Sequence, residues 1–239
     1  MSESEGDDDG TEVTDEEEAP PSFTWSGFMK DNVPQGAGVA TYSNGDKFEG
    51  TYENSKRSGR GKYTFKNGAS YDGMYQDGVK SGFGVMKYPD KSSYEGYWAQ
   101  DKKNGSGRYK YANGDMYHGE WKDDVKHGFG MYLFEENMSQ FEGNWDKGSF
   151  VDGQWLMANG DVYQGTFSKG KPDGPGAFNF SASKNTLEGK YEKGKWSSGD
   201  YIANKPSPPL MDLNNMSASP TVPAPPKINF NIPRRPGRP

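Results

Sequence analysis

Residues 94–116 read YEGYWAQDKKNGSGRYKYANGDM, and their opening frame, Tyr94-Glu95-Gly96-Tyr97-Trp98, decides the fold. A large side chain, a glycine two places on and another large side chain four places on recur from Trp25, Phe48, Tyr71, Tyr94, Tyr117, Phe141, Tyr163 and Leu187. Successive starts are 23, 23, 23, 23, 24, 22 and 24 residues apart. Such a period marks an array of stacked units, each burying its apolar face against its neighbours.

In an extended strand, places zero, two and four share one face, so each unit presents a ring, a gap and a ring there. The gap suits a ring from a neighbour. A Gly-x-Gly pair follows eleven places after most openings, as at Gly59/Gly61, Gly82/Gly84 and Gly105/Gly107. It predicts a tight bend feeding a return strand, because glycine tolerates positive φ and close backbone approach. Alternation then resumes, for example at Tyr63 and Phe65 or Tyr109 and Tyr111. Asn44-Gly45, Asn67-Gly68, Asn113-Gly114 and Asn159-Gly160 close four of the eight units and signal two-residue hairpin turns.

Each unit is therefore one β-hairpin, and the chain is an all-β protein: an elongated single-layer antiparallel ribbon of about eight hairpins with disordered termini. At roughly 4.8 Å per strand the ribbon is about 75 Å long, a spacer's dimension. The sixth unit carries Asp152-Gly153-Gln154 in place of Gly-x-Gly, which predicts a bend near residues 148–156, and the atypical last unit reads as a cap.

The array spans residues 23–200 and the tails differ from it. Residues 1–22 hold ten acidic groups and no basic ones, a self-repelling composition expected to be disordered. Without them the net charge changes from −6 to about +4, so the acidity belongs to the tail. Residues 201–239 hold ten of the 16 prolines and end in Pro233-Arg234-Arg235-Pro236-Gly237-Arg238-Pro239. This second tail is either solubilising filler or a docking segment. Ile228, Phe230 and Ile232 alternate as a strand that could add to a partner's sheet edge.

The chain has no cysteine, no signal-like leader and no apolar run of the ~20 residues that a membrane helix needs. These features point to an intracellular protein that does not span a membrane. No catalytic, cofactor-binding or metal-binding set emerges. His118 and His127 read as surface residues without a third ligand, and the phosphate-loop-like spacing Gly165 to Gly170-Lys171 fails at Pro172, where Ser or Thr is needed.

Two charged columns recur, a basic one at Arg57, Lys80, Lys103 and Lys126 and an acidic one at Glu49, Asp72, Glu95, Glu142 and Glu188. They are either solvated faces with weak ion pairs or a strip that orients a charged partner. The rings of Tyr52, Tyr75, Trp98, Trp121 and Trp145 either line a groove for a partner segment or fill one another's glycine gaps.

The frame Tyr-x-Gly-x-Trp, then Gly-x-Gly, then Asn-Gly resembles the MORN repeat over residues 23 to about 200. Members of that family occur as scaffolds and as membrane tethers, and also beside catalytic domains. A narrower resemblance is to the MORN subunits of the radial spoke head of motile cilia. Its landmarks are Lys56-Arg57, the run Tyr63-Thr64-Phe65-Lys66-Asn67-Gly68-Ala69, Tyr88-Pro89-Asp90 and Gly174-Pro175-Gly176. The basic proline-rich ending departs from that pattern. The resemblance implies a non-enzymatic axonemal subunit that packs with other spoke head proteins, including a second MORN protein, and faces the central-pair projections. It implies neither a cofactor nor nucleic acid. The alternative is a tether or signalling adaptor that meets phosphoinositide headgroups through the basic column.

Overall fold

In the computed structural model, which describes residues 22–203, sixteen antiparallel strands form one open sheet in strict sequence order. They are β1 Phe23–Lys30, β2 Val33–Tyr42, β3 Lys47–Glu53, β4 Lys56–Thr64, β5 Ser70–Gln76, β6 Val79–Lys87, β7 Ser93–Ala99 and β8 Lys102–Lys110, followed by β9 Met116–Lys122, β10 Val125–Leu133, β11 Gln140–Asp146, β12 Ser149–Leu156, β13 Val162–Ser168, β14 Lys171–Asn179, β15 Thr186–Glu192 and β16 Lys195–Ile202. The strands begin at the expected array boundary and end two residues beyond it. Almost all of both tails lies outside the described residues, including Ile228, Phe230 and Ile232 and the disorder expected of them.

Every odd-numbered strand carries the frame, and its first glycine pairs across the hairpin with a glycine of the return strand, as in Gly96↔Gly107 and Gly73↔Gly84. The gap does not receive a neighbour's ring. The opening ring of the same unit lies along its own strand over both glycines, because a Cβ at Gly107 would overlap the Tyr94 ring and its hydroxyl. With the ring lying flat, the Tyr94 hydroxyl donates to the Tyr97 carbonyl at 2.9 Å, and the Tyr117 hydroxyl donates to that of Glu120 at 3.0 Å.

Flat opening rings leave room for upright ones. Tyr94 meets Trp98 of its own unit at 5.1 Å and Trp121 of the next at 5.4 Å, both nearly perpendicular. Tyr71 does the same with Tyr75 and Trp98, and Tyr117 with Trp121 and Trp145. Edge-to-face pairs satisfy the ring quadrupoles and add about 0.5–1.5 kcal/mol each beyond area burial. The indole N–H groups tie the units together as well. Trp121 Nε1 donates to the Gly107 carbonyl of the preceding unit at 3.3 Å, and Trp145 Nε1 to that of Gly130 at 3.1 Å. The core is this one-sided aromatic ladder.

The turns differ from the expected assignment. The bend inside each hairpin is not at Gly-x-Gly but six and seven places after the opening residue, at pairs such as Asp31-Asn32, Gln100-Asp101 and Asp123-Asp124. Both residues of each pair have positive φ. That is the two-residue turn matching strand twist. The Gly-x-Gly pair instead marks a bulge: between Gly96↔Gly107 and Trp98↔Lys103 the register shifts, and Gly105 at its centre has φ +84°. The Asn-Gly pairs sit in three-residue loops between hairpins. In one of these the Tyr42 amide donates to the Asp46 carbonyl, the Gly45 amide donates to the Tyr42 carbonyl, and Gly45 has φ +93°. This is the turn-plus-glycine-bulge connection, not a two-residue one.

Within residues 148–156, β12 pairs with β11 from Ser149 to Leu156 and with β13 from Asp152 to Leu156, so the sheet runs through the unit that lacks Gly-x-Gly. The change there is local. Gly143 and Gly153 adopt φ of +154° and +139°, and Phe150 packs flat against Phe141 at 4.7 Å. In the last unit Trp196 and Tyr201 are exposed, as befits an end strand.

Gly107→Ala forces a methyl into the Tyr94 ring and is expected to cost about 1–3 kcal/mol by overpacking. Gly59→Ala meets open space at φ +63° and is expected to cost about 1 kcal/mol. Urea unfolding followed by tryptophan fluorescence measures both, with the lower midpoint for Gly107→Ala.

Candidate functional site

The return strand of each hairpin starts one place before the basic column, so Arg57, Lys80, Lys103 and Lys126 pair with Tyr52, Tyr75, Trp98 and Trp121 and share their face. Each cation reaches forward over the upright ring of the next unit. Arg57 Cζ lies 5.1 Å from the Tyr75 centroid. The Lys80, Lys103 and Lys126 Nζ atoms lie 4.7, 5.0 and 4.4 Å from Trp98, Trp121 and Trp145. The aliphatic stems cover the rings while the charges sit over their electron-rich faces. The basic column is thus the lid of the aromatic ladder.

The same lid explains where the five candidate rings end up. Tyr52, Tyr75, Trp98, Trp121 and Trp145 are only 3–6% exposed; the last four are held between opening rings below and cations above, whereas Tyr52 lies against Phe23 and shares a hydrogen bond with the Tyr42 hydroxyl. What this face offers to another molecule is the cation row and the half-buried return-strand rings beside it. Tyr109 and Tyr111 sit 4.5 Å apart and Tyr132 and Phe134 4.7 Å apart in that second row.

Three of the four cations have protein acceptors. Arg57 donates through Nε and Nη2 to the Gly78 carbonyl at 3.1 and 2.7 Å. Lys80 and Lys103 stand 3.8 and 3.6 Å from the carboxylates of Asp101 and Asp124, which also accept the Lys80 and Lys103 backbone amides at 2.9 Å. Among the described residues Lys126 has no ion pair, and burial alone lowers its pKa to about 8. Burial lowers Lys80 too, with Asp101 pulling the other way.

The acidic column does not face this row. Its side chains lie on the opposite side of the sheet, where Glu95 accepts from Arg108 at 2.8 Å and Asp72 pairs with Arg60 at 3.3 Å. That second face also carries a shallow groove of about 530 Å³ around Met74, Phe83 and Val85, rimmed by Arg60, Lys62 and Lys87. His118 is on the same side and is half-buried, not a surface residue, with its pKa lowered by burial and then by Arg108. His127 Nδ1 stands 3.7 Å from Asp146. Gly170 and Lys171 belong to a hairpin turn and the start of β14, so the phosphate-loop spacing has no loop-to-helix geometry behind it. Among the described residues no cluster of three or more His, Asp or Glu side chains could hold a metal ion.

Two sets of carboxylates matter that the column pattern missed. Asp101 and Asp124 are turn residues and look like generic turn formers. Asp115 follows Asn113-Gly114 and bridges two loops: it accepts from the Asn113 side chain at 2.9 Å, from the Tyr132 hydroxyl at 2.8 Å and from the Glu135 amide of the next loop at 2.9 Å. Asp46 repeats the arrangement with Asn44, Tyr63 and Lys66. The recurring string Asn-Gly-Asp, also at residues 159–161, carries the signal. For both Asp46 and Asp115, burial raises the pKa, but these hydrogen bonds outweigh it and the net shift is downward.

This geometry is a one-layer solenoid scaffold. The family model for the MORN repeat matches residues 25–47, 48–70, 71–93, 94–116, 117–138 and 163–181, more than half of the chain. The chain belongs to the MORN-repeat family, whose role is structural or in protein interaction. Comparison with curated proteins gives no match. Among solved structures, the SAS-4 (dCPAP) TCP domain of Drosophila melanogaster, in complex with a proline-rich motif of Ana2 (dSTIL), is similar at 15% identity and TM-score 0.38, over 61% of this chain and 78% of that one. The wild-type TCP10 domain of Danio rerio CPAP is similar at 14% identity and TM-score 0.33, over 62% and 70%. Its complex with a Danio rerio STIL peptide is similar at 12% identity and TM-score 0.30, over 72% and 84%.

Trp121→Ala removes a ring that meets Tyr94, Tyr109 and Tyr117 and is expected to cost about 3–5 kcal/mol, read from the urea midpoint. Asp115 is more acidic folded than unfolded, so its stabilisation is present above the ordinary Asp range near 3.8 and is lost as pH falls through the lowered value. The stability gap between the parent and Asp115→Asn should therefore narrow in thermal melts as pH drops below about 4.

Proposed function

We propose that this chain is a non-enzymatic structural subunit of the radial spoke head of motile cilia and flagella. It would reside in the axoneme, scaffold other spoke head proteins including a second MORN protein, and help pass mechanical signals from the central-pair projections toward the dyneins. The observation that carries the mechanical part is the continuous ladder. From Tyr52 to Trp121 each upright ring is wedged between flat rings of two units, so a load on one hairpin is shared by the next. Support for the spoke head over other MORN scaffolds comes from the order of the landmarks at 56–57, 63–69, 88–90 and 174–176. Several have framework roles: Arg57 caps Tyr75, and the Tyr63 hydroxyl and the Lys66 amide both donate to Asp46.

The tether reading needs the basic column free to meet headgroups. Three of its four cations are instead engaged by protein acceptors over aromatic rings, which favours the scaffold. A tagged pull-down from salt-extracted cilia, with a detergent-released membrane fraction beside it, tests the proposal. Spoke head subunits are expected in the axonemal eluate, and recovery with membranes alone would overturn it.

A further inference from the structure

The lid of the aromatic ladder has a regular rung, and one rung is incomplete. At the two regular rungs the second turn residue of the following hairpin is an aspartate. Asp101 and Asp124 each accept one backbone amide and stand beside one ammonium, those of Lys80 and Lys103. At the next rung the residue in that place is Gly148. The backbone there is unchanged. The Gly148 amide donates to the Lys126 carbonyl at 2.9 Å, as the Asp124 amide does to that of Lys103 at 3.0 Å. The φ of Gly148 is +81°, against +64° and +70° at Asp101 and Asp124. Only the carboxylate is missing.

Its place is open. A Cβ built on Gly148 meets nothing within 4 Å. The neighbouring charge has also changed sign, because the first turn residue, Asp123 in the preceding hairpin, is Lys147 here. Asp146 is turned to His127. The rung at Gly78 lacks a carboxylate as well, but Arg57 there reaches the Gly78 carbonyl with two nitrogens. Lys126 is left with a floor of Trp145, Tyr132 and Tyr117 rings at 4.4, 4.7 and 5.5 Å.

We propose that Lys126 and the open turn at Gly148 form a docking site for one carboxylate side chain of an extended acidic segment on a partner protein. The incoming Asp or Glu takes the place that Asp101 and Asp124 fill from within the array, receiving the Lys126 ammonium, with Lys147 flanking it. Charge complementarity selects the partner: this rung carries two cations where the preceding ones carry balancing acids. The desolvation that holds Lys126 near 8 is offset by the charge of such a carboxylate, so binding should raise that pKa. The inference rests on the scaffold role only for supposing that the ligand is a protein.

The test uses the full chain labelled with 15N-lysine and a hexaglutamate peptide as probe, with inorganic phosphate at matched ionic strength as control. The peptide is expected to shift the Lys126 Nζ resonance and to raise its titration midpoint above about 8. Gly148→Asp supplies the carboxylate in cis, at a backbone conformation where aspartate already stands twice, and should weaken peptide binding about tenfold. Gly148→Asn fills the same place without the charge and should weaken binding less than Gly148→Asp does. Equal binding by the parent and Gly148→Asp, a Lys126 resonance that does not respond, or an equal response to phosphate would overturn the proposal. Spoke head subunits recovered equally by the parent and Gly148→Asp would leave the scaffold standing and remove this site.

Discussion

One contact underlies the rest of the structure: an aromatic ring lying flat across a cross-strand pair of glycines. Removing two Cβ atoms opens a trough along the strand, and in six of the eight units the opening ring fills it, lying flat against the sheet. This flat placement lets the tyrosine hydroxyl reach the carbonyl three residues on, and it leaves a ring face for two upright neighbours. A single sheet normally lacks a second layer to bury its apolar side. Here the second layer is made of upright tyrosines and tryptophans, and the third of lysine and arginine stems. The array therefore achieves burial with one sheet and little aliphatic content.

The electrostatics follow from that packing. A cation laid over a ring is partly desolvated, which is costly unless an acceptor is near. Lys80 and Lys103 are matched by carboxylates from the next turn, and Arg57 by a carbonyl. The acids of the recurrent column, being one place off the ring positions, fall on the other side of the sheet, where Asp72 pairs with Arg60 and Glu95 with Arg108. Asp46 and Asp115 link loop to loop through backbone amides, so neighbouring units are coupled at their loop ends as well as through their rings. Such coupling between nearest neighbours is how repeat proteins gain length without losing cooperativity.

Much of the site was legible, but its geometry was not. The period identified which residues form columns, and so Arg57, Lys80, Lys103 and Lys126 stood out together with the five rings. Their relation did not. A column in sequence is compatible with an open groove or with a closed ladder, and the choice depends on how far a lysine stem reaches across a rung. The roles of Asp101 and Asp124 were hidden because two-residue turns favour Asp and Asn for backbone reasons alone. The gap at Gly148 becomes visible only once those aspartates are known to belong to the lid.

Sequence alone determined the class of fold, the number of units, the strand alternation and the family, because a period near 23 residues with glycine between large side chains admits few other arrangements. It also separated the array from its tails, by charge and proline content. Tertiary structure decided which glycines turn and which are lain upon, since either use removes the same Cβ and leaves the same letter. It also decided which charges meet. A shift of one residue along a strand sends a side chain to the opposite face, and only the paired register shows which acid stands beside which base.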